Sequence, residues 1–505
     1  MWRRGAYVFG ALIGVMVLFG AALPDPAAAE SNLVVGVWMD LKTLDPPRMK
    51  TGAEYNYAML VFNGLTAIGR NMTVEPDLAT KWDVSPDLKT WTFQLRRGVK
   101  FHNGKELDAG DVIHTVNRIL DPKVGSPLRG GFGIVDRMEA VDKYTLRFTL
   151  KEPYGELAAI FADYQARILP AGVGDEQLAK SPVGTGPFKF VEFKPEDRVV
   201  LEKNPNYWEP GLPKLDKVTF RIIPERATAV AALKSSEVHL VWAASAEQQQ
   251  SLKGSDTAAV DMTTSATWIG LIMHNGQPPF NDVRVRQAFF HLLDKPAIAE
   301  LATLGNAVAT HSPIPPGHPF YRSDIPIPKP DPAKARQLLK EAGITSGPDL
   351  KLYYAARDTE AQRAAVTIRD QVKAAGVKID LEGVPADKFY AEVEGKVPLA
   401  ITTFYGRAVP DAMLYHWYHS NGSWNQNLWH YSNKRMDDLL TRARQTTNTG
   451  QQKELYGEVQ KIVVDEGPGA VLYVKTHANG VHKLVKGFKS HPRMWLDVKS
   501  VTLGN

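Results

Sequence analysis

Aromatic residues crowd into one stretch, 404–431 (FYGRAVPDAMLYHWYHSNGSWNQNLWHY), where Phe404, Tyr405, Tyr415, Trp417, Tyr418, Trp424, Trp429 and Tyr431 are interleaved with Arg407, Asp411, Asn425 and Asn427. No single helical or strand period organises them, and Gly and Ser break the run. Aromatic bodies with a few polar tips suit a small-molecule pocket: apolar area supplies affinity and a few charged groups fix orientation. The competing explanation is plain core, the usual place for aromatics. His416 and His419 stand i, i+3 in LYHWYHS, so a helix would let both face one metal. No third ligand follows by spacing, and neither a metal nor a cofactor is expected. An acid pair of Asp411 with Glu392 or Glu394 is what a secreted hydrolase would need, but nothing in the spacing supports it. The sequence has no G-x-S-x-G elbow and no H-E-x-x-H. The glycine-rich 182–188 (PVGTGPF) lacks the Gly-Lys-Ser/Thr ending of a nucleotide loop, and Pro187 removes a donor, so it is expected to be a tight structural crossing.

Composition sets the frame for these residues. A chain of 505 residues, 44% hydrophobic and 23% charged, is long enough for two or three domains with ordinary globular cores. Its net charge of +5 is spread along the chain, which disfavours a nucleic-acid binder. The absence of cysteine excludes disulfides, thiolate metal sites, cysteine nucleophiles and a lipid-modified N-terminal cysteine. The first residues are a separate object. Arg3 and Arg4 precede an uncharged apolar run, 6–23, and Ala27-Ala28-Ala29 then offers the small residues a signal peptidase reads. A cleavable secretory signal over 1–29, and a periplasmic address, are expected.

Several elements must position the aromatic stretch. The run 33–38 (LVVGVW) is a buried strand, and 55–62 is a helix closed by Asn63-Gly64. Trp91, Phe93 and Leu95 alternate with polar residues as a half-buried strand does, and so do Tyr144, Leu146, Phe148 and Leu150. Between them Asp108 caps a helix with Asp111 at N3. The stretch 268–295 changes character: an apolar strand, 268–273, then the corner His274-Asn275 with Pro278 and Pro279, then a helix capped by Asn281 or Asp282. Further on, Asp331-Pro332 opens a helix ended by Gly343, and strands 352–354, 377–381 and 399–404 alternate with helices. That alternation means βαβ units. Helices around 436–442 and 455–464 and a strand at 471–474 close the chain, with no internal repeat.

Two blocks carry a family resemblance. The first is Pro76, Leu78-Ala79, Trp82, Val84-Ser85 and Asp87, continuing through Leu95-Arg96, Gly98-Val99, Phe101-His102, Gly104 and Asp111-Val112. The second is His274-Asn275, Pro278-Pro279-Phe280, Asp282, Val285-Arg286, Ala288 and Asp294-Lys295. Together with PVGTGPF and 204–208 (NPNYW), they make the chain similar to the extracytoplasmic solute-binding proteins of the peptide/nickel ABC-importer family. The resemblance implies an α/β fold of two lobes around a hinged cleft, with an extra inserted domain. The expected division is 30–67 as the first segment of lobe I, 68–181 as the insert, 182–273 as more of lobe I, 274–474 as lobe II and 475–505 as the return to lobe I. It implies no catalysis, a small peptide or related solute or on the same scaffold a nickel chelate, haem, glutathione or opine- or sugar-like solute, and delivery by a monomer to a membrane permease with its ATPase subunits. In dipeptide-binding members an Asp in a P-D context holds the ligand amine and an Arg after an earlier strand holds its carboxylate. The matching positions are Asp411 and Arg357. The expected ligand-binding set is Asp411, Arg357, Arg407, Phe404, Tyr405, Trp424, Asn425, Asn275 and Trp38, with Asp411 hydrated in the open cleft. Two departures stand out: Arg407 replaces the acid of the family's W-x-G-D, and His239 stands where an acid is usual.

The first expected outcome concerns export. N-terminal sequencing of protein secreted from a Gram-negative host should read from Glu30, and recovery of intact 1–29 in the membrane fraction would contradict it.

Overall fold

The computed structural model describes residues 1–2, 30–356 and 358–504, so the expected signal segment and Arg357 lie outside the described residues. Eleven strands form one continuous sheet that runs through both lobes. Its first-lobe part is built on Asn32–Val37, which pairs in parallel with Lys217–Ile222 on one side and Leu240–Val241 on the other. The sheet continues antiparallel through Arg198–Lys203 to Phe188–Lys194. Leu33, Val35 and Val37 are fully buried, as a strand covered on its face must be.

Two long antiparallel strands, Ala258–Met273 and Ala470–His482, carry the sheet from one lobe to the other. Residues 258–264 pair with 476–482, beside Leu240–Val241. Beyond the crossing, 268–271 stay paired with 470–474, and on its other edge 268–273 pairs with Leu399–Phe404, whose other neighbour, Asp349–Ala355, lies parallel to Lys378–Val384. The register breaks between Thr264 and Trp268, so 265–267 is the crossing point. Residues 268–273, expected at the end of the lobe I segment 182–273, thus pair with Leu399–Phe404, expected in lobe II. The strands were also read too short, because 258–267 and 475–482 are polar enough to hide them. Among the described residues no helix is long and apolar enough to cross a membrane.

The insert has its own antiparallel sheet, in the order Ala79–Val84, Thr90–Leu95, Thr145–Leu150, Val135–Asp142. The helix Ala109–Leu120 packs on it, with the reciprocal Asp108/Asp111 capping box in place. Phe161 joins this core to its neighbours, with ring centroids 5.4 Å from Phe93, 5.0 Å from Phe132 and 5.2 Å from Phe148. The glycine-rich loop is the crossing that was expected. Gly184 and Gly186 lie so tightly on the Val61 carbonyl, at the end of the helix Gly52–Val61, that neither has room for a Cβ. In lobe II, Asp282 caps Val283–Phe290 and Asp331 caps Pro332–Glu341 through their carboxylates.

Candidate functional site

The strand Leu399–Phe404 ends where the aromatic stretch begins. Phe404 is buried with its ring 4.2 Å from Trp268 and 4.2 Å from Trp417, a tight aromatic floor. Trp424 stacks on the outer side of Trp417 at 5.2 Å and stays 41% exposed, while Tyr405 is 76% exposed. Gly406 lies against the Ala266 backbone with no space for a Cβ, which ties the loop holding Arg407 to the crossing point. The apolar cluster around this floor continues across the gap. It takes in Tyr164 of the insert and Trp495 of the return segment, with Tyr55 of the first lobe packed against it.

The facing wall was not apparent from sequence. Tyr55, on the helix Gly52–Val61, stacks on Tyr164 at 3.3 Å. Arg493 lies 5.0 Å over the Trp495 ring and 5.9 Å from that of Tyr164, with Asp163 at 3.7 Å. Burial pushes the Tyr164 hydroxyl up from its ordinary value, Asp163 adds to the rise, and Arg493 and Arg407 oppose it. His491 stacks beside Trp495 at 4.9 Å, and burial pushes its imidazole down to about 4, so it is neutral at pH 7. Arg493 follows a polar strand and sits in a segment without a motif. Only the pairing of distant strands brings it here.

The other expected residues are placed as follows. Asn425 is fully buried and committed to backbone: its amide donates to the carbonyls of His419 at 2.9 Å and Tyr431 at 2.8 Å, and its oxygen accepts from the Tyr431 N–H at 2.9 Å. Asn275 locks the corner by donating to the carbonyls of Met273 and Pro468. Trp38 is half-buried in the first lobe, 6.5 Å from Trp242 and under Arg226. His239 accepts from the Val34 N–H at 3.0 Å, completing a strand edge. His419 faces Thr441 and Asp437 and His416 faces Ser423; among the described residues no cluster of three His, Asp or Glu side chains forms.

Asp411 differs from its expected state. It lies in the first turn of the helix Pro410–Tyr418 and is 1% exposed, not hydrated. Its carboxylate accepts from the Tyr154 hydroxyl at 3.2 Å and from Arg444 at 3.3 Å. Arg444 in turn lies 3.7 Å over the Tyr415 ring. The cause is the insert: the 154–156 loop covers the carboxylate, and the Gly155 N–H donates to the Arg444 carbonyl at 2.8 Å. Burial pushes Asp411 up from its ordinary value, while Arg444 and His416 pull it back. Burial opposes the charge on Arg444 too, but Asp411 together with the Tyr154 and Tyr415 hydroxyls outweighs it, and the two form an ion pair. Glu156 is the second carboxyl here, held by Gln452 at 3.0 Å. Although the residue is only half-buried as a whole, its carboxyl is turned inward, and burial with the Asp411 charge pushes it up to about 8.

Two α/β lobes joined by crossing strands, with an aromatic gap between them, define a hinged solute-binding protein. The model of the bacterial extracellular solute-binding proteins, family 5 middle, matches residues 73–425. The glutathione-binding protein GsiB of Escherichia coli strain K12 is 30% identical over 480 residues, covering 93% of this chain and 94% of that protein. Its counterpart in Pectobacterium atrosepticum is 30% identical over 484 residues, covering 94% of each. Among solved structures, the ABC-transporter substrate-binding protein CtaP of Listeria monocytogenes superposes with a TM-score of 0.84 at 26% identity, covering 94% of this chain and 100% of that one. DppA of Helicobacter pylori, in complex with the peptide STSA, gives 0.78 at 27%, covering 94% and 98%. The chain belongs to the family 5 extracellular solute-binding proteins, and is the substrate-binding component of an ABC importer.

Two outcomes follow for the buried pair. Asp411→Asn leaves Arg444 without its counter-charge and should cost about 1–3 kcal/mol of stability in urea melts; an unchanged midpoint would return Asp411 to a role in the open cleft. For Glu156, a folded-state value of about 8 against an ordinary 4.5 means stability present below about 4.5 and lost as pH rises through about 8. Glu156→Gln should therefore melt increasingly above the parent protein from pH 5 to about pH 8, with a level difference beyond it. A pH-independent difference would show that the carboxyl is not held protonated.

Proposed function

We propose that the protein captures a small peptide or peptide-like solute in the periplasm, after removal of its signal segment, and presents it as a monomer to a membrane permease driven by ATPase subunits. No bond in the solute is made or broken. The observation that carries this is the aromatic cluster spanning the gap, in which Tyr55, Tyr164 and Trp495 face Trp268, Phe404 and Trp417. A solute held there contacts both lobes at once. Only such differential contact can drive closure, because a ligand that touched one lobe would bind open and closed states equally. Glutathione is the first candidate, since relatives matching nearly the whole chain are glutathione-binding proteins. The peptide complex of the Helicobacter pylori neighbour supports the wider class. The exposed faces of Tyr405 and Trp424 suit stacking on peptide bonds or side chains.

Small-angle scattering with and without glutathione, and with a set of di- and tripeptides, tests the mechanism. Saturating ligand should shrink the radius of gyration and raise the melting temperature by mass action, and chromatography should return the ligand unchanged. A ligand that binds without contraction, or that is returned cleaved, would overturn it.

A further inference from the structure

Two guanidinium groups, one from each lobe, approach the same tyrosine. Arg407 comes from lobe II, on the loop that Gly406 presses against Ala266. Arg493 comes from the return segment just beyond Ala470–His482, which is fastened to the first lobe by Asp261 accepting from the Ser490 N–H at 2.6 Å. Between them stands Tyr164, which shares one apolar cluster with Ala408 and Val409, the residues that follow Arg407, and both positive charges act on its hydroxyl. Arg493 lies 5.9 Å from its ring, and among the described residues the carboxylate in reach of this pair is Asp163, 3.7 Å from Arg493. That carboxylate accepts from the Tyr164 N–H at 2.8 Å through its other oxygen, and its single charge answers only one of the two guanidiniums. Among the described residues neither guanidinium donates a side-chain hydrogen bond to protein.

The remaining titratable neighbours do not restore the balance. His491 is held neutral by burial, and burial also lowers His416. Tyr55 and Tyr164 are both pushed above the ordinary phenol value, so neither is an anion. Two further lobe II carboxylates act on the nearby Tyr390, but Glu394 accepts from the Thr402 hydroxyl at 2.5 Å and Asp358 caps the helix Thr359–Val372. Asp163 balances Arg493, and among the described residues Arg407 is left without a carboxylate partner where the lobes meet. An unpaired charge in a gap that loses water is costly, so closure is opposed until something negative enters.

We propose that the solute is acidic, and that one of its carboxylates bridges Arg407 and Arg493 and so clasps lobe II to lobe I. This rests on the cleft being the solute site, and narrows the solute to peptides or peptide-like acids with a carboxylate free for this position. A guanidinium offers a planar fork that matches a carboxylate with two parallel hydrogen bonds. Because the two forks belong to different lobes, the carboxylate gains the second only on closure, which is the differential contact that shifts the hinge. Replacement of an acid by Arg407 changes the polarity of the position: it selects an anion, where a carboxylate would select an amine.

The test uses the mature protein with glutathione, acidic di- and tripeptides, their C-terminal amides, neutral and basic peptides of equal length, and non-peptide di-acids as probes. Thermal shift identifies binders and calorimetry gives Kd for the parent protein, Arg407→Gln and Arg493→Gln. Acidic members should bind and amidated or basic ones should not. Each Arg→Gln change should weaken Kd by roughly thirty-fold or more, the loss expected when one partner of a desolvated charge pair is removed, and leave the ligand-free melting temperature within a degree or two. The double variant tells a clasp from two separate contacts: losses that fail to add support one shared carboxylate. Retention of affinity within threefold in either variant, a preference for amidated, neutral or basic peptides, or no shift from any acidic member would overturn the proposal. If only a non-peptide acid binds, and both variants lose it, the clasp stands and the peptide assignment falls.

Discussion

Everything in this molecule that moves or binds depends on two strands. Ala258–Met273 and Ala470–His482 are the shared spine of both lobes, hydrogen-bonded to each other on both sides of the crossing at 265–267. A hinge made of paired strands resists stretching and slipping, because both would break ladder bonds, but it permits bending where the register is already broken. That restricts relative motion of the lobes to opening and closing about one line. The aromatic floor is attached directly to it: Trp268 is the first residue beyond the crossing, and Gly406 packs on Ala266. The proposed solute-binding surface and the crossing are thus built on the same strand.

The insert adds a second constraint. Tyr154 and Gly155 reach from it to Asp411 and Arg444 of lobe II, while Tyr164 faces Tyr55 of the first lobe. It therefore touches both moving parts in this arrangement, and the buried Asp411–Arg444 pair is part of the contact. A buried ion pair is weak evidence for stability, because desolvation consumes most of the attraction. Its better-attested effect is selectivity, since any arrangement that separates the partners leaves a charge stranded. Here that penalty falls on misalignment of the insert against lobe II. The neighbouring Glu156 fits the same logic, since a protonated carboxyl adds no second negative charge beside Asp411.

Much of this was legible in the sequence where local physics and tertiary demand agree. Asp108 with Asp111, Asp282, and Asp331 with Pro332 all cap the helices they were expected to cap, because an N-terminal carboxylate answers orphan N–H groups whatever the surroundings. Trp91, Phe93 and Leu95 face inward as their alternation demands. The long crossing strands were only half legible: 258–264 and 475–479 carry Asp, Thr, Lys, His and Asn, and those that are buried, such as His477 and Asn479, are satisfied by side-chain hydrogen bonds that no local pattern announces. The candidate site was legible in type but not in detail. Crowding of aromatics marked the stretch that forms the aromatic floor, but it could not show that Asn425 is tied to backbone carbonyls or that Phe404 is packed between Trp268 and Trp417. Arg493, Tyr55, Asp163 and Tyr164 gave no local signal, because a wall assembled from segments hundreds of residues apart has no spacing to read.

Asp411 and Arg407 show why motif and site separate on this scaffold. A Pro-Asp at the start of a helix is satisfied equally well by a ligand ammonium, by a cap or by an internal arginine, since all three present donors to a carboxylate. The dipeptide identifies the helix and says nothing about which donor is present. Position in space decides, and here the insert covers Asp411 and hands it Arg444. Arg407 sits on the loop just ahead of that helix, half-buried and without an internal carboxylate among the described residues. One scaffold can hold chemically unlike solutes because framework residues are closed off in this way, while a few loop positions stay free to change sign. The departure from the family pattern at Arg407 is therefore more informative about the solute than any of the matches, for the matches are mostly what the fold itself requires.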